Sequence, residues 1–368
     1  MEAQSLAQVD TLYSADSIEF CPTPGYERWF TCGTYQLLKP EEQEKEEKKE
    51  GPKTAKADDE DDDEDDEEEE VTPPAPRIGR LYLFSLEDET PTEVQRIETA
   101  AILDAKWSPL STAPELGVAD AKGGLTLYTL ADSTLTQTQK LEVSDESTLV
   151  LSLDHSRLNR GEVITSLSNG SLAHLVRTAT GELEVSSEWA AHDFEPWITA
   201  WDGSDPSTVW SGGDDCKLKR WDVRIPDMPT FVNRRFDGGV TTIAPSPHTE
   251  HLLAVGSYDA QLRLFDARNP TRPLLEVEMP GGIWRTRWHP SSARKGDILN
   301  ACMHGGFGVV HLGDAFAAGE FADAEGEVVK TFPGTLGYGA DWCRRDDGET
   351  SVVATCSFYD HVMHVWRA

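Results

Sequence analysis

Ser211-Gly212-Gly213-Asp214-Asp215-Cys216-Lys217-Leu218-Lys219-Arg220-Trp221-Asp222 decides how this chain folds, because it comes back. The second copy is Gly256-Ser257-Tyr258-Asp259-Ala260-Gln261-Leu262-Arg263-Leu264-Phe265-Asp266, with Asp259 44 residues after Asp215 and Phe265 44 after Trp221. A period of roughly 40–45 residues that closes on Trp-Asp or a relative of it is the mark of propeller blades built from four antiparallel strands. The innermost strand of each blade has its own form, a few apolar residues ending on an aromatic and often a proline. It can be read at Asp16–Pro22, Ile102–Pro109, Leu149–His155, Trp197–Trp201, Val240–Pro245, Ile283–Pro290 and Tyr338–Trp342, which makes seven blades.

Hairpin tips follow each second strand. They centre on Gly33-Thr34-Tyr35, Asp120–Gly123, Ser168-Asn169-Gly170, Asp214-Asp215, Tyr258-Asp259, His304-Gly305-Gly306 and Tyr359-Asp360-His361. Gly, Asn and Asp suit tight hairpins that need positive φ. The chain stops at Ala368, after the third strand of blade seven, so Ala7–Thr11 is expected to supply the fourth strand. The expected architecture is all-β: one seven-bladed WD-repeat propeller over 1–368, closed by an N-terminal strand. Closure removes the open sheet edges that promote aggregation.

Charge divides the chain. Residues 41–70 carry 19 acids and 5 lysines, a net of −14, out of −33 for the whole. The remaining −19 still leaves the folded part acidic, which argues against a nucleic-acid platform and for a partner with a basic surface. The stretch 38–77 reads as an overgrown loop between the second and third strands of blade one. Its composition predicts disorder, either as a solvated spacer or as an arm that draws a partner to the face it hangs from. Cys21, Cys32, Cys216, Cys302, Cys343 and Cys356 form no CxxC pair, so no disulfide or metal framework is expected. No secretory signal or membrane span is legible. A cytoplasmic monomer without a cofactor is the expectation.

Several blocks carry a more specific resemblance. Val9-Asp10-Thr11 with Ser14–Ser17, Cys32–Leu37, Ala191–Ile198, Gly256–Asp259, Gly281–Arg285, Ala301–His304, Tyr338–Trp342 and Ala354–His361 resemble the diphthine methylesterase family. The blocks span nearly the whole propeller and leave the acidic insert out. The resemblance implies a hydrolase of diphthamide biosynthesis. Such an enzyme removes the methyl ester of methylated diphthine, a modified histidine on translation elongation factor 2 that also carries a trimethylammonium group. The alternative is a scaffold that docks a partner without turnover, as many propellers do.

No G-x-S-x-G elbow or H-E-x-x-H pattern names a mechanism. The catalytic candidates are His304 and His361 as general bases, Arg285 as an oxyanion partner, and Glu195 and Asp360 as site acids. For substrate binding, Trp284, Tyr258, Tyr338 and Tyr359 are candidates for an aromatic cage around the ammonium, with Trp197 and Asp259 beside them. Each has a plainer reading: turn-capping His and Asp, packed inner-strand aromatics, a solvated Glu195. His192 is expected to be structural, bonded to Asp215 near Ser211 and Trp221. Cys302 and Cys356 read as small buried strand residues rather than nucleophiles.

Overall fold

A computed structural model describes residues 1–38, 76–313, 315, 316, 319, 321, 324–345 and 350–368. Their strands form seven four-stranded antiparallel sheets arranged as successive blades. The innermost strands are Ser14–Phe20, Ile102–Trp107, Val150–His155, Ile198–Trp201, Val240–Pro245, Arg285–Trp288 and Gly337–Trp342. Strand Ser5–Asp10 pairs antiparallel with Val362–Arg367, from Ser5 opposite Trp366 to Asp10 opposite Val362. It completes blade seven as the strand count requires. The N-terminus continues to blade six, where Ala3 N–H donates to Thr331 O at 2.8 Å. No described helix is long and apolar enough to cross a membrane.

The blades are glued by apolar clusters between neighbouring sheets, such as Ile18, Phe20, Phe30 and Phe84 against Ala354, Met363 and Val365. Three of the four tryptophans that end an inner strand add a polar stitch, while Trp201 Nε1 finds no hydrogen-bond partner among the described residues. Trp107 Nε1 donates to Glu19 O (3.1 Å), Trp288 Nε1 to Ala244 O (2.8 Å) and Trp342 Nε1 to Arg287 O (3.0 Å), always into the preceding blade. The large ring fills the wedge between sheets while its N–H satisfies a carbonyl that would otherwise be orphaned.

Blade one departs from the expected tip at Gly33-Thr34-Tyr35. Its second strand, Trp29–Leu37, runs straight through these residues, and the third begins at Arg77, the last residue of the expected loop, with Leu37 opposite Arg77. Gly33 is there for close approach, not for a turn: a Cβ at this place would lie 2.5 Å from Ser17 Oγ and 2.6 Å from Ile102 Cγ2. Of the expected disordered insert, 39–75 lie outside the described residues.

Candidate functional site

Bonds between inner strands fix which residues correspond from blade to blade. Leu153 N–H donates to Asp104 (3.1 Å), Thr199 N–H to Ser152 (3.0 Å) and Thr286 N–H to Thr242 (3.1 Å). One level earlier along each strand stand Asp16, Leu103, Leu151, Trp197, Thr241, Trp284 and Tyr338. In five blades this residue falls in a register shift of the ladder. A bulge re-aims its side chain. This level lies where the inner strands begin, at one mouth of the central channel.

Trp284, buried in this ring, is the hub of an aromatic cluster. Its centroid is 4.7 Å from Tyr338, 5.6 Å from Trp197 and 6.3 Å from Tyr258. Tyr338 continues to Phe358 (5.0 Å), which touches Tyr35 and the exposed Tyr359. The blades converge here, so four rings contributed by blades four, five, six and seven share one small space. Burial pushes the Tyr338 phenol up to about 12 and raises that of Tyr258 as well, so both stay neutral.

A charged level lies beneath the rings. Arg285 is 3% exposed. It donates to Trp284 O (3.1 Å), reaches across the channel to Leu103 O (3.5 Å), and stands 3.8 Å from the Asp104 carboxylate. Its guanidinium lies 5.2 Å from the Trp284 centroid. Asp104 is held by Lys106 Nζ at 3.0 Å and by the Leu153 N–H. Below, a cavity of about 310 Å³ is roofed by Arg285 and lined by Glu19, Lys106, Asp154, Arg287 and Asp341.

Asp16 belongs to the mouth and is 4% exposed. Among the described residues its carboxylate accepts no hydrogen bond. Burial pushes its pKa up to about 8; the nearby Arg285 charge opposes this and Asp104 adds to it. An ordinary carboxylate at this place is therefore held as the neutral acid near neutral pH.

The sequence candidates divide by location. Arg285, Trp284, Tyr258, Tyr338 and Trp197 come together at the mouth, and Tyr359 stands one ring further out. Trp197 Nε1 also donates to Asp214 at 2.7 Å. Asp259 is engaged in its own turn, capping Gln261 N–H (3.0 Å) and pairing with Arg263 (2.8 Å). Asp360 accepts from the Thr335 hydroxyl (2.9 Å) and from Val362 N–H (3.2 Å). His304 is exposed, with Nδ1 3.2 Å from Thr335 O. His361 has φ +59°, and its carbonyl accepts the N–H and hydroxyl of Thr11, each at 2.8 Å. Glu195 is half-buried, and its carbonyl accepts Asp214 N–H at 3.0 Å.

His192 lies in the expected network, with Nδ1 2.8 Å from Asp215 and Nε2 2.7 Å from Ser211, which also accepts Trp221 Nε1 at 2.9 Å. Burial pushes the Cys302 thiol up to about 12 and raises Cys356 well above its usual value. Neither is a ready thiolate. No cluster of metal-ligating side chains occurs among the described residues. Asp16, Asp104 and Lys106 are mouth and channel residues absent from the sequence candidates. Stacking the seven inner strands at their bulge would have marked Asp16, the only carboxyl at a level otherwise apolar, aromatic or threonine.

No family model matches the chain. Among curated proteins it is similar to diphthine methyltransferase of Mus musculus, 38% identical over 92% of this chain and 69% of that protein. The Homo sapiens diphthine methyltransferase is also 38% identical, over 92% and 74%. The diphthine methyltransferase homolog of Dictyostelium discoideum is 32% identical over 96% of both. Among solved structures, a chain in the crystal structure of a mitotic checkpoint complex superposes with a TM-score of 0.68 at 16% identity, covering 99% of this chain and 92% of that one. That likeness is one of fold.

Proposed function

The chain belongs to the diphthine methyltransferase family, and from that premise we propose that it hydrolyses the methyl ester of methylated diphthine on translation elongation factor 2, releasing diphthine and methanol. The name of its relatives supports a role in diphthamide biosynthesis and a diphthine-modifying activity. The observation that carries the finer reading is the cluster of four rings, Trp284, Tyr338, Trp197 and Tyr258, whose hub Trp284 packs on the buried Arg285 guanidinium.

A trimethylammonium group has no proton to donate, so hydrogen-bond acceptors cannot grip it. It is recognised by the negative faces of aromatic rings. The ester of the substrate lies beside that ammonium on the same side chain. Arg285 sits one level deeper and offers charge-assisted N–H bonds to an acyl oxygen as it gains charge. Cation above and ester below match rings above and guanidinium below. Tyr258 and Tyr338 remain uncharged, so they contribute faces and hydroxyls rather than acid–base chemistry at neutral pH.

The test is a mass measurement on the modified peptide of methylated elongation factor 2 after incubation with the pure protein. Loss of one methylene supports hydrolysis. An unchanged mass with verified substrate favours the scaffold. A gain of one methylene in the presence of a methyl donor points to transfer in the sense of the relatives' name.

A further inference from the structure

We propose that Asp16 is the general base of this site, accepting the proton of the water that attacks the ester; the assignment rests on the hydrolytic reading above. The other inner-strand aspartates each have a structural duty. Asp104 bonds Leu153 N–H, Asp154 bonds Trp201 N–H at 2.9 Å, and Asp341 bonds Phe20 N–H at 2.8 Å. Each of them laces its strand to the next blade, and that explains its presence in the interior. Asp16 laces nothing. Six blades place Leu, Trp, Thr or Tyr at its level, and a buried carboxyl without a hydrogen bond is costly to keep there. Architecture gives no reason for it.

Its position gives one. The register shift between Ala15 and Ser17 leaves Asp16 unpaired in the ladder, free to turn toward the mouth. The charged and titratable groups facing it are Arg285 from blade six, Asp104 from blade two, and Tyr338 and Cys356 from blade seven. Arg285 and Tyr338 are the groups read above as oxyanion partner and cage wall. An ester seated on both brings its acyl carbon to the side of the channel that carries Asp16.

The step balances without a further reactant. Water oxygen bonds to the acyl carbon while one water proton passes to the Asp16 carboxylate. The carbonyl π pair becomes an oxyanion held by Arg285. On collapse, the carbon–methoxy bond breaks, the methoxy oxygen takes the proton from Asp16, and methanol leaves. The product acid loses its own proton to solvent. In the empty site burial holds Asp16 largely protonated, with a pKa about 8. A quaternary ammonium entering the cage is an opposite charge nearby and favours the carboxylate. The substrate's fixed charge thus prepares the base that acts on its ester.

The experiment is a pair of kcat and kcat/KM profiles against pH, on methylated elongation factor 2, for the wild-type protein, Asp16→Asn and Asp16→Glu. Asp16→Asn is expected to lose about 10²–10⁴-fold in kcat with KM little changed, while Asp16→Glu recovers part of the loss. The wild-type kcat/KM should rise with pH toward a plateau above about 8, and that limb should vanish in Asp16→Asn. Thermal melts confirm that the variants fold. Full activity in Asp16→Asn, or an unchanged pH limb, overturns the assignment and leaves the hydrolytic reading standing. An inactive wild-type protein that folds and binds its substrate overturns both.

Discussion

His192 and Asp16 are both titratable, both buried, and both close to the start of an inner strand, yet their surroundings follow opposite rules. His192 is answered on each ring nitrogen, by Asp215 and by Ser211, and Ser211 is answered again by Trp221. Burial lowers its pKa and Asp215 only partly restores it, so the ring stays neutral and acts as a strut. Its Ser-His-Asp geometry looks catalytic on paper, but Ser211 is 0% exposed and no ester can reach it. Asp16 has no such answer among the described residues and stands at the mouth of the central channel. Buried polar groups that close on themselves build the propeller; one left open is available for chemistry.

The sharpest way to break this contrast is to remove the cation beside Asp16. Arg285→Met should lower kcat/KM by about 10²–10³-fold, the cost of deleting an oxyanion donor. Arg285→Lys should recover little, because it keeps the charge and loses the fork. Steady-state assays on methylated elongation factor 2 decide it, and near-normal rates in Arg285→Met would remove Arg285 from the mechanism.

The next effect is on stability. The Asp16 pKa is about 8 in the folded protein against 3.8 for an ordinary aspartate. The folded state therefore keeps a proton that the unfolded chain has released, and stability falls as pH rises from about 4 to about 8, then levels. The slope is about 1.4 kcal/mol per pH unit at most. Asp16→Asn lacks this slope, so its melting temperature should exceed the wild-type value at pH 8 by more than at pH 5. A constant difference between the two pH values would mean that Asp16 ionises normally.

His192→Ala should give the reverse signature. It takes one partner from each of Asp215 and Ser211, which keep Lys217, Lys219 and Trp221, and should cost about 2 kcal/mol in urea unfolding, while the folded fraction keeps its kcat. Loss of turnover without loss of stability would move His192 from strut to site. The smallest effect belongs to the cage: Trp284→Ala should weaken tetramethylammonium binding by about fivefold to tenfold, the scale of one cation–π wall. Fluorescence titration reads this directly, and unaltered affinity would take Trp284 out of the cage.

Much of the architecture was legible because propeller signals are local and repeated. The 44-residue spacing, the hairpin tips and the strand-end aromatics each recur, and the missing strand of blade seven follows from counting. Gly33 misled because glycine serves both turns and close packing, and only the approach of Ser17 and Ile102 separates the two. The mouth was partly legible, since Trp284, Arg285 and Tyr338 break the repeat inside a strand. His304 and His361 break it at hairpin tips, where the structure gives them turn duties. Asp16 was missed for a different reason. Its character comes first from burial and then from Arg285 and Asp104, all of which reach it only once seven blades have closed into a ring, and no window of sequence holds all three residues.

The pairing of Ser5–Asp10 with Val362–Arg367 has a consequence in time. Asp16 is made well before Trp284 and Arg285, and Tyr338 after them. The strand that carries Asp16 follows directly on the closing strand, and Thr11 between them grips the carbonyl of His361. A nascent chain on the ribosome thus holds its carboxyl without its guanidinium or its rings, beside the very machinery whose elongation factor it is proposed to modify. The proposed site is assembled only when Val362–Arg367 meets Ser5–Asp10, so closing the ring and building the site are one event.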